Sequence, residues 1–221
     1  MIVDCSHPIL RGGFVYPGFP EPELSYFRSH QQKGGPYGPD TSFAISRVNA
    51  VTNIGTYVDS PYHRHEGAAD FTGVPLERVA DLEGVVVDAR RRPGRGLPVA
   101  LFPRRRLRGH AVLILTGWSE RWGTPRYTEP GPFVGKDAAE ALLEAAPALV
   151  GIDCMNIDDV EDPERPAHTL LLGAGIVVCE HMTNLERLVG KAFRFFAAPP
   201  AWQGVASFPV RALAVVEERG G

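Results

Sequence analysis

The stretch "NIGTYVDSPYHRHEG", Asn53 to Gly67, decides how the rest of the chain is read. If it is extended, strand alternation puts Asn53, Tyr57, Asp59 and His63 on one side, and Gly55 lets the backbone turn closely. An Asp beside a His is a frequent pair of ligands for Zn²⁺ or Mn²⁺, and an equally frequent acid/base pair that works without metal. Taken alone, the same pattern also describes hydrogen-bonding groups at a strand end. The surroundings have to choose.

Upstream, "SFAISRVNAVT" alternates apolar and polar positions through Phe43, Ile45, Val48 and Val51, and predicts a strand running into the motif. "GGFVYPGFPEPE", residues 12–23, is a turn-dense loop after a short first strand, because Pro fixes φ and Gly permits the bends. Downstream, "LEGVVVDA" and "AVLILTGW" read as buried strands. The Arg-rich connector between them is broken by Pro and Gly, so it reads as a solvated loop and not a basic helix face. "GKDAAEALLEAAPALVGIDCM" predicts a helix with Asp137 and Glu140 early in it, Pro147 in the following loop, and a strand through Leu149 and Ile152. "AGIVVCEHMTNLERLV" reads as a last buried strand delivering Glu180, then a short helix.

The 221 residues suit one α/β domain, 1–221. With 44% hydrophobic and 22% charged residues and a net charge of −3, neither nucleic acid nor a membrane is an expected partner. No stretch approaches the ~20 apolar residues of a spanning helix. The opening "MIVDCSHPIL" lacks a basic region followed by a sustained apolar run, so no secretory signal is expected. Cys5, Cys154 and Cys179 form no close pair, which suits a reducing, cytoplasmic setting. Cys154 and Cys179 sit in or beside apolar runs and read as buried and inert.

"HTLLLGAGIVVCE" places His168 and Glu180 either side of an apolar run. A carboxylate embedded in "VVCEHM" is expensive to bury without a partner or a cation. With these pieces in view the chain resembles the kynurenine formamidase and cyclase family, the cyclase-like metal-dependent hydrolases. Their motif H-x-G-T-H-x-D-x-P-x-H falls in register with "NIGTYVDSPYH", keeping Gly55, Thr56, Asp59, Pro61 and His63. "DCSHPILRGGFVYPGFPEPE", "LTGWSERW", "LVGIDCMNID" and "AHTLLLGAGIVVCEHMTNLERL" resemble further family segments in the right order.

The resemblance implies an α/β fold of the β/β/α swivelling type, a mixed sheet with few helices, assembled as a homodimer or higher homo-oligomer. It implies metal ligands at Asp59, His168 and Glu180, a proton-shuttling His63, and an aromatic wall at Tyr16, joined by Phe14 and Trp118. Asn53 and Tyr57 stand where the family has two ligand His, so one metal of a dinuclear pair has lost its nitrogen donors. One divalent ion, Zn²⁺ or Mn²⁺, with no organic cofactor, remains a chemically sensible site for hydrolysing an amide or lactam C–N bond in a small molecule. Two other readings stay open. Tyr57, Asn53, Asp59 and His63 suit a metal-independent cyclase, lyase or isomerase of secondary metabolism. A non-catalytic small-molecule binding protein would also keep the pocket. His65 reads as an exposed bystander; His7, His30, His110 and His181 show no partner pattern, and the sequence does not place Asp153 or Asp158.

Overall fold

A computed structural model describes residues 1–34, 37–102 and 107–217. Its strands are β1 (Ile2–Asp4), β2 (Glu23–Arg28), β3 (Ile45–Asn49), β4 (Tyr57–Asp59), β5 (Leu82–Asp88), β6 (His110–Leu115), β7 (Leu149–Ile152), β8 (Val177–Glu180), β9 (Phe193–Phe196), β10 (Ser207–Pro209) and β11 (Leu213–Val216). Two α-helices are described, α1 (Lys136–Ala145) and α2 (Pro166–Gly173). Nine strands form one mixed sheet in the order β1-β11-β9-β5-β6-β7-β8-β4-β10. β5 to β8 run parallel at its centre, and the flanking pairs are antiparallel.

The central strands are apolar runs because both their faces are covered. On one face Val112, Ile114, Val150 and Ile152 meet Leu142 of α1 and Leu171 of α2. The buried side of α1 is Ala138, Ala139, Leu142 and Ala145, a helical repeat, and the helix ends at Ala146 in the left-handed region. On the other face Leu113, Leu149 and Val177 meet Leu185, Leu188 and Phe195. That second cluster also holds Val3 of β1 and Val58 of β4, although six strands lie between them in the sheet order. The sheet therefore curls, in the sense that strand twist accumulates. The curl brings the chain after β1 against the chain after β8, where the Thr183 amide donates to the Cys5 carbonyl at 3.0 Å.

Two expectations are corrected. The strand in "SFAISRVNAVT" forms, but only over Ile45–Asn49; it pairs with β2 in a separate two-stranded ribbon, exposed along its length, and ends well short of β4. The strand carrying Glu180 is not the last, because β9, β10 and β11 follow it. The apolar run between His168 and Glu180, which the sequence left unassigned, begins in α2. Residues 103–106 of the Arg-rich connector lie outside the described residues. Two of its described arginines serve as surface ties, Arg90 to Asp88 and Arg95 to Asp159 and Glu161. No described helix is long and apolar enough to cross a membrane.

Candidate active site

Strand β4 lies between β8 and β10, and strand register makes the site. Tyr57 is directly opposite Glu180, and Asp59 directly opposite Ser207. Such opposed pairs are within side-chain reach. The Tyr57 hydroxyl accordingly donates to Glu180 Oε2 at 2.5 Å, and the Ser207 hydroxyl donates to Asp59 Oδ1. Ser207 Oγ also lies 3.1 Å from His63 Nδ1, so one hydroxyl links Asp59 to the imidazole. The second Glu180 oxygen accepts the Ile157 amide at 2.6 Å. Gly55 and Thr56 are structural. Gly55 has φ +61, and Thr56 donates to the His181 carbonyl at 2.5 Å while accepting the His7 amide at 3.0 Å.

His168 is brought in by α2. Asp158, on the loop before the helix, accepts the amides of Ala167 at 2.6 Å and His168 at 3.1 Å, satisfying free donors of the first turn. Its Oδ2 is also 2.5 Å from His168 Nδ1. A carboxylate can only accept, so Nδ1 carries a proton and Nε2 is the nitrogen that faces the cavity. That Nε2 lies 3.7 Å from Asp59 Oδ2 and 3.6 Å from Glu180 Oε1. Asp59 Oδ2 and His168 Nε2 are buried with no hydrogen-bond partner among the described residues. Orphaned groups of this kind call for an ion or an ordered water. Donor atoms of Asp59, His63 and His168 all lie within 4.8 Å of one another, an N,N,O set that fits a divalent transition metal.

Electrostatics point the same way. Burial alone would depress His168, but Glu180, Asp158 and Asp59 outweigh it and push the imidazole up to about 10. Burial and the Asp59 charge push Glu180 up to about 7 against the pull of His168 and Tyr57. Asp59 is raised by burial yet brought below the usual carboxylate range by His168, His63 and Ser207. Burial, then the neighbouring Glu180, drives Tyr57 well above the ordinary phenol range, so its proton stays on the hydroxyl. His63, a third of its side chain open to solvent, is depressed mainly by burial, with Asp59 opposing. Carboxylates thus crowd one imidazole, a charge pattern that a cation would complete.

Tyr57, His63, His168 and Glu180 line a cavity of about 340 Å³. Tyr57, His168 and Glu180, all nearly fully buried, form its floor; Asn53 and Asn156 sit on the wall, and Tyr16 and Phe19 stand towards solvent. Two other residues expected against the substrate lie elsewhere. Phe14 packs edge-on to Tyr127 at 5.0 Å in the aromatic cluster with Trp122 and His181. Trp118 is buried beneath Arg121, its ring nitrogen donating to the Tyr127 carbonyl. His65 ties its loop to α2 through the Thr169 carbonyl at 3.0 Å. Asp153 is a turn anchor, accepting Thr116 and Gly117 amides, and burial raises it to about 6. Cys154 and Cys179 are fully buried, and burial lifts both thiols well above their ordinary range. Sequence reasoning missed Ser207, the role of Asp158, and Phe19. The Asp158–Pro166–His168 spacing held a helix-start signal; Ser207 had none.

The family model described as "Putative cyclase" matches residues 3–159. The chain belongs to this cyclase family. The kynurenine formamidase of Salinibacter ruber is 25% identical over 214 residues, covering 96% of each chain. A "potential metal-dependent hydrolase with cyclase activity" superposes with a TM-score of 0.75 at 23% identity, covering 99% of both chains. An isatin hydrolase bound to the product analogue thioisatinate superposes with a TM-score of 0.80 at 23% identity, covering 98% of this chain and 92% of that one. The mixed sheet with few helices is therefore the cyclase fold.

Proposed function

We propose that this cyclase-family protein is a small-molecule hydrolase of an amide or lactam C–N bond that uses one divalent metal. The observation that carries the reading is the pair of buried, unpartnered atoms Asp59 Oδ2 and His168 Nε2, 3.7 Å apart. Asp59, His168 and Glu180 would hold the ion. When bound, it would supply Lewis acidity towards a carbonyl and activate water. The protein's own residues do the rest. Asp158 keeps His168 Nε2 on the cavity side, and the Tyr57 hydroxyl fixes the Glu180 carboxylate. His63, held by Ser207 and open to solvent, is placed to carry a proton to the leaving nitrogen. The Asn53 amide, on the cavity wall, can donate to a carbonyl oxygen.

One observation favours a second arrangement of the same residues. The N,N,O cluster within 4.8 Å includes His63, whereas Glu180 is already engaged by Tyr57 and Ile157. In that arrangement His63 is a ligand and Glu180 the base. His63→Ala separates the two, keeping the metal in the first and losing it in the second.

The experiment is a screen of kynurenine-type formamides and isatin-type lactams with metal-replete, chelated and re-supplied enzyme. Hydrolysis that disappears with chelator and returns with Zn²⁺ or Mn²⁺ supports the reading. Turnover indifferent to chelator would replace it with the metal-free cyclase or isomerase, and ligand binding without turnover would leave a binding protein. For assembly we propose a homodimer joined through the β2–β3 ribbon.

A further inference from the structure

We infer that the Asn156 side-chain amide is a fixed hydrogen-bond donor to a carbonyl oxygen of the substrate, which on the hydrolase reading is the oxygen of the bond attacked. Asn156 lines the same cavity as His63, His168 and Glu180, and only 8% of it is exposed. It sits on the loop that leaves β7, whose next two residues brace the floor. The Ile157 amide donates to Glu180 Oε1 at 2.6 Å, and Asp158 Oδ2 lies 2.5 Å from His168 Nδ1.

Donor chemistry decides which end of the Asn156 amide faces the cavity. One of its two terminal atoms meets the Asp158 amide at 2.9 Å and Arg165 Nη2 at 2.9 Å. Both of those partners can only donate, so the atom they share is Oδ1 and the other is the NH₂ group. A flip would set that NH₂ against two donors, one of them a guanidinium. Arg165 is itself steadied by Asp158 Oδ2, 3.6 Å from its Nε. Among the described residues Nδ2 donates to none, and it is not one of the sealed polar atoms left without a partner. It is therefore the part of the side chain open to the cavity. As a donor with no lone pair to offer, it suits an oxygen and not a cation. A donor aimed before the ligand arrives needs no reorganisation as charge builds on a carbonyl oxygen, and in a site shielded from bulk water its hydrogen bond is strengthened. Asn156 thus joins Asn53 as a second amide on the cavity wall, with its direction set by two bonds.

A donor to a carbonyl is detectable by binding; only its place at the attacked bond rests on the proposed function. Indolin-2-one is compared with indoline, the same bicycle without the carbonyl oxygen, by calorimetry on the metal-replete protein and on Asn156→Asp and Asn156→Leu. Asp keeps an acceptor for the Asp158 amide and for Arg165 and removes the donor, whereas Leu removes both. The wild type should bind indolin-2-one at least about ten-fold tighter than indoline, and both variants should lower that preference about ten-fold. Asn156→Asp should do so with melting temperature and metal content unchanged. If Asn156→Leu is unstable because its tie to Asp158 is cut, Asn156→Asp decides alone. For a formamide or lactam that the wild type hydrolyses, Asn156→Asp should lower kcat about 100-fold with KM little changed. No preference for the carbonyl in the wild type, or a preference that Asn156→Asp leaves intact, would overturn the inference. A rise in KM alone would overturn the placing of Asn156 at the attacked bond. A preference lost in Asn156→Asp, without turnover of any amide by the wild type, would count against the hydrolase reading and leave the donor standing.

Discussion

Of the two nitrogens of His168, the cavity can use only one, and Asp158 chooses it. Because Asp158 accepts from Nδ1, Nε2 is the nitrogen presented to Asp59 and Glu180. Asp158→Asn keeps the size and removes the charge, so metal affinity should fall about 10- to 100-fold while the apo fold persists, measured by competition with a chromogenic chelator. His7 shows the opposite logic. It stacks on Trp122 with ring centroids 4.0 Å apart, its Nε2 has no partner, and burial lowers it to about 4. Its ordinary value is 6.5, so on acidification the unfolded chain takes the proton first. Stability from this group is whole above pH 6.5 and is lost as pH falls towards 4. His7→Phe keeps the stack and should flatten that acid limb in melts between pH 7 and pH 4.5; an unchanged pH profile would refute the burial argument.

At the level of elements, legibility followed the length and uniformity of the signal. β5 to β8 were visible because a parallel strand buried on both faces is a run of Val, Ile and Leu. β9 to β11 were not, being three or four residues each, with Pro199 and Pro200 between and Pro209 inside β10. α2 was hidden because a short apolar run has no period to separate helix from strand. For the site the same holds. Asp59, His63, His168 and Glu180 stood out through their motif, whereas Ser207 enters only through strand register, which no local pattern encodes. The pairing of β5 with β9 gives an element-scale expectation. A Cβ on Gly84 would collide with the Phe193 ring, so Gly84→Val should destabilise the sheet by about 1–3 kcal/mol in urea unfolding, and a neutral result would refute this packing.

Across the whole molecule, the β2–β3 ribbon stands apart from the main sheet. It exposes Leu24, Tyr26, Phe27, Ile45 and Val48, and an isolated two-stranded ribbon is marginal in water. Glu23 and Arg28 at the two ends of β2, with Arg47 on β3, supply opposite charges suited to a second copy of the same ribbon. Light scattering should give a dimer, and Phe27→Glu, at the most exposed of these positions, a monomer; a monomeric wild type would remove the ribbon from that role. The curl of the sheet matters for chemistry because it sets β4, β8 and α2 around one cavity. The most direct measurement is therefore metal content by mass spectrometry, on protein purified without a chelating tag, for wild type, Asp59→Ala and His168→Ala. About one divalent ion per chain in the wild type, lost from both variants, is the expected result. No ion in the wild type after incubation with Zn²⁺ and Mn²⁺, or an ion that both variants retain, would contradict it.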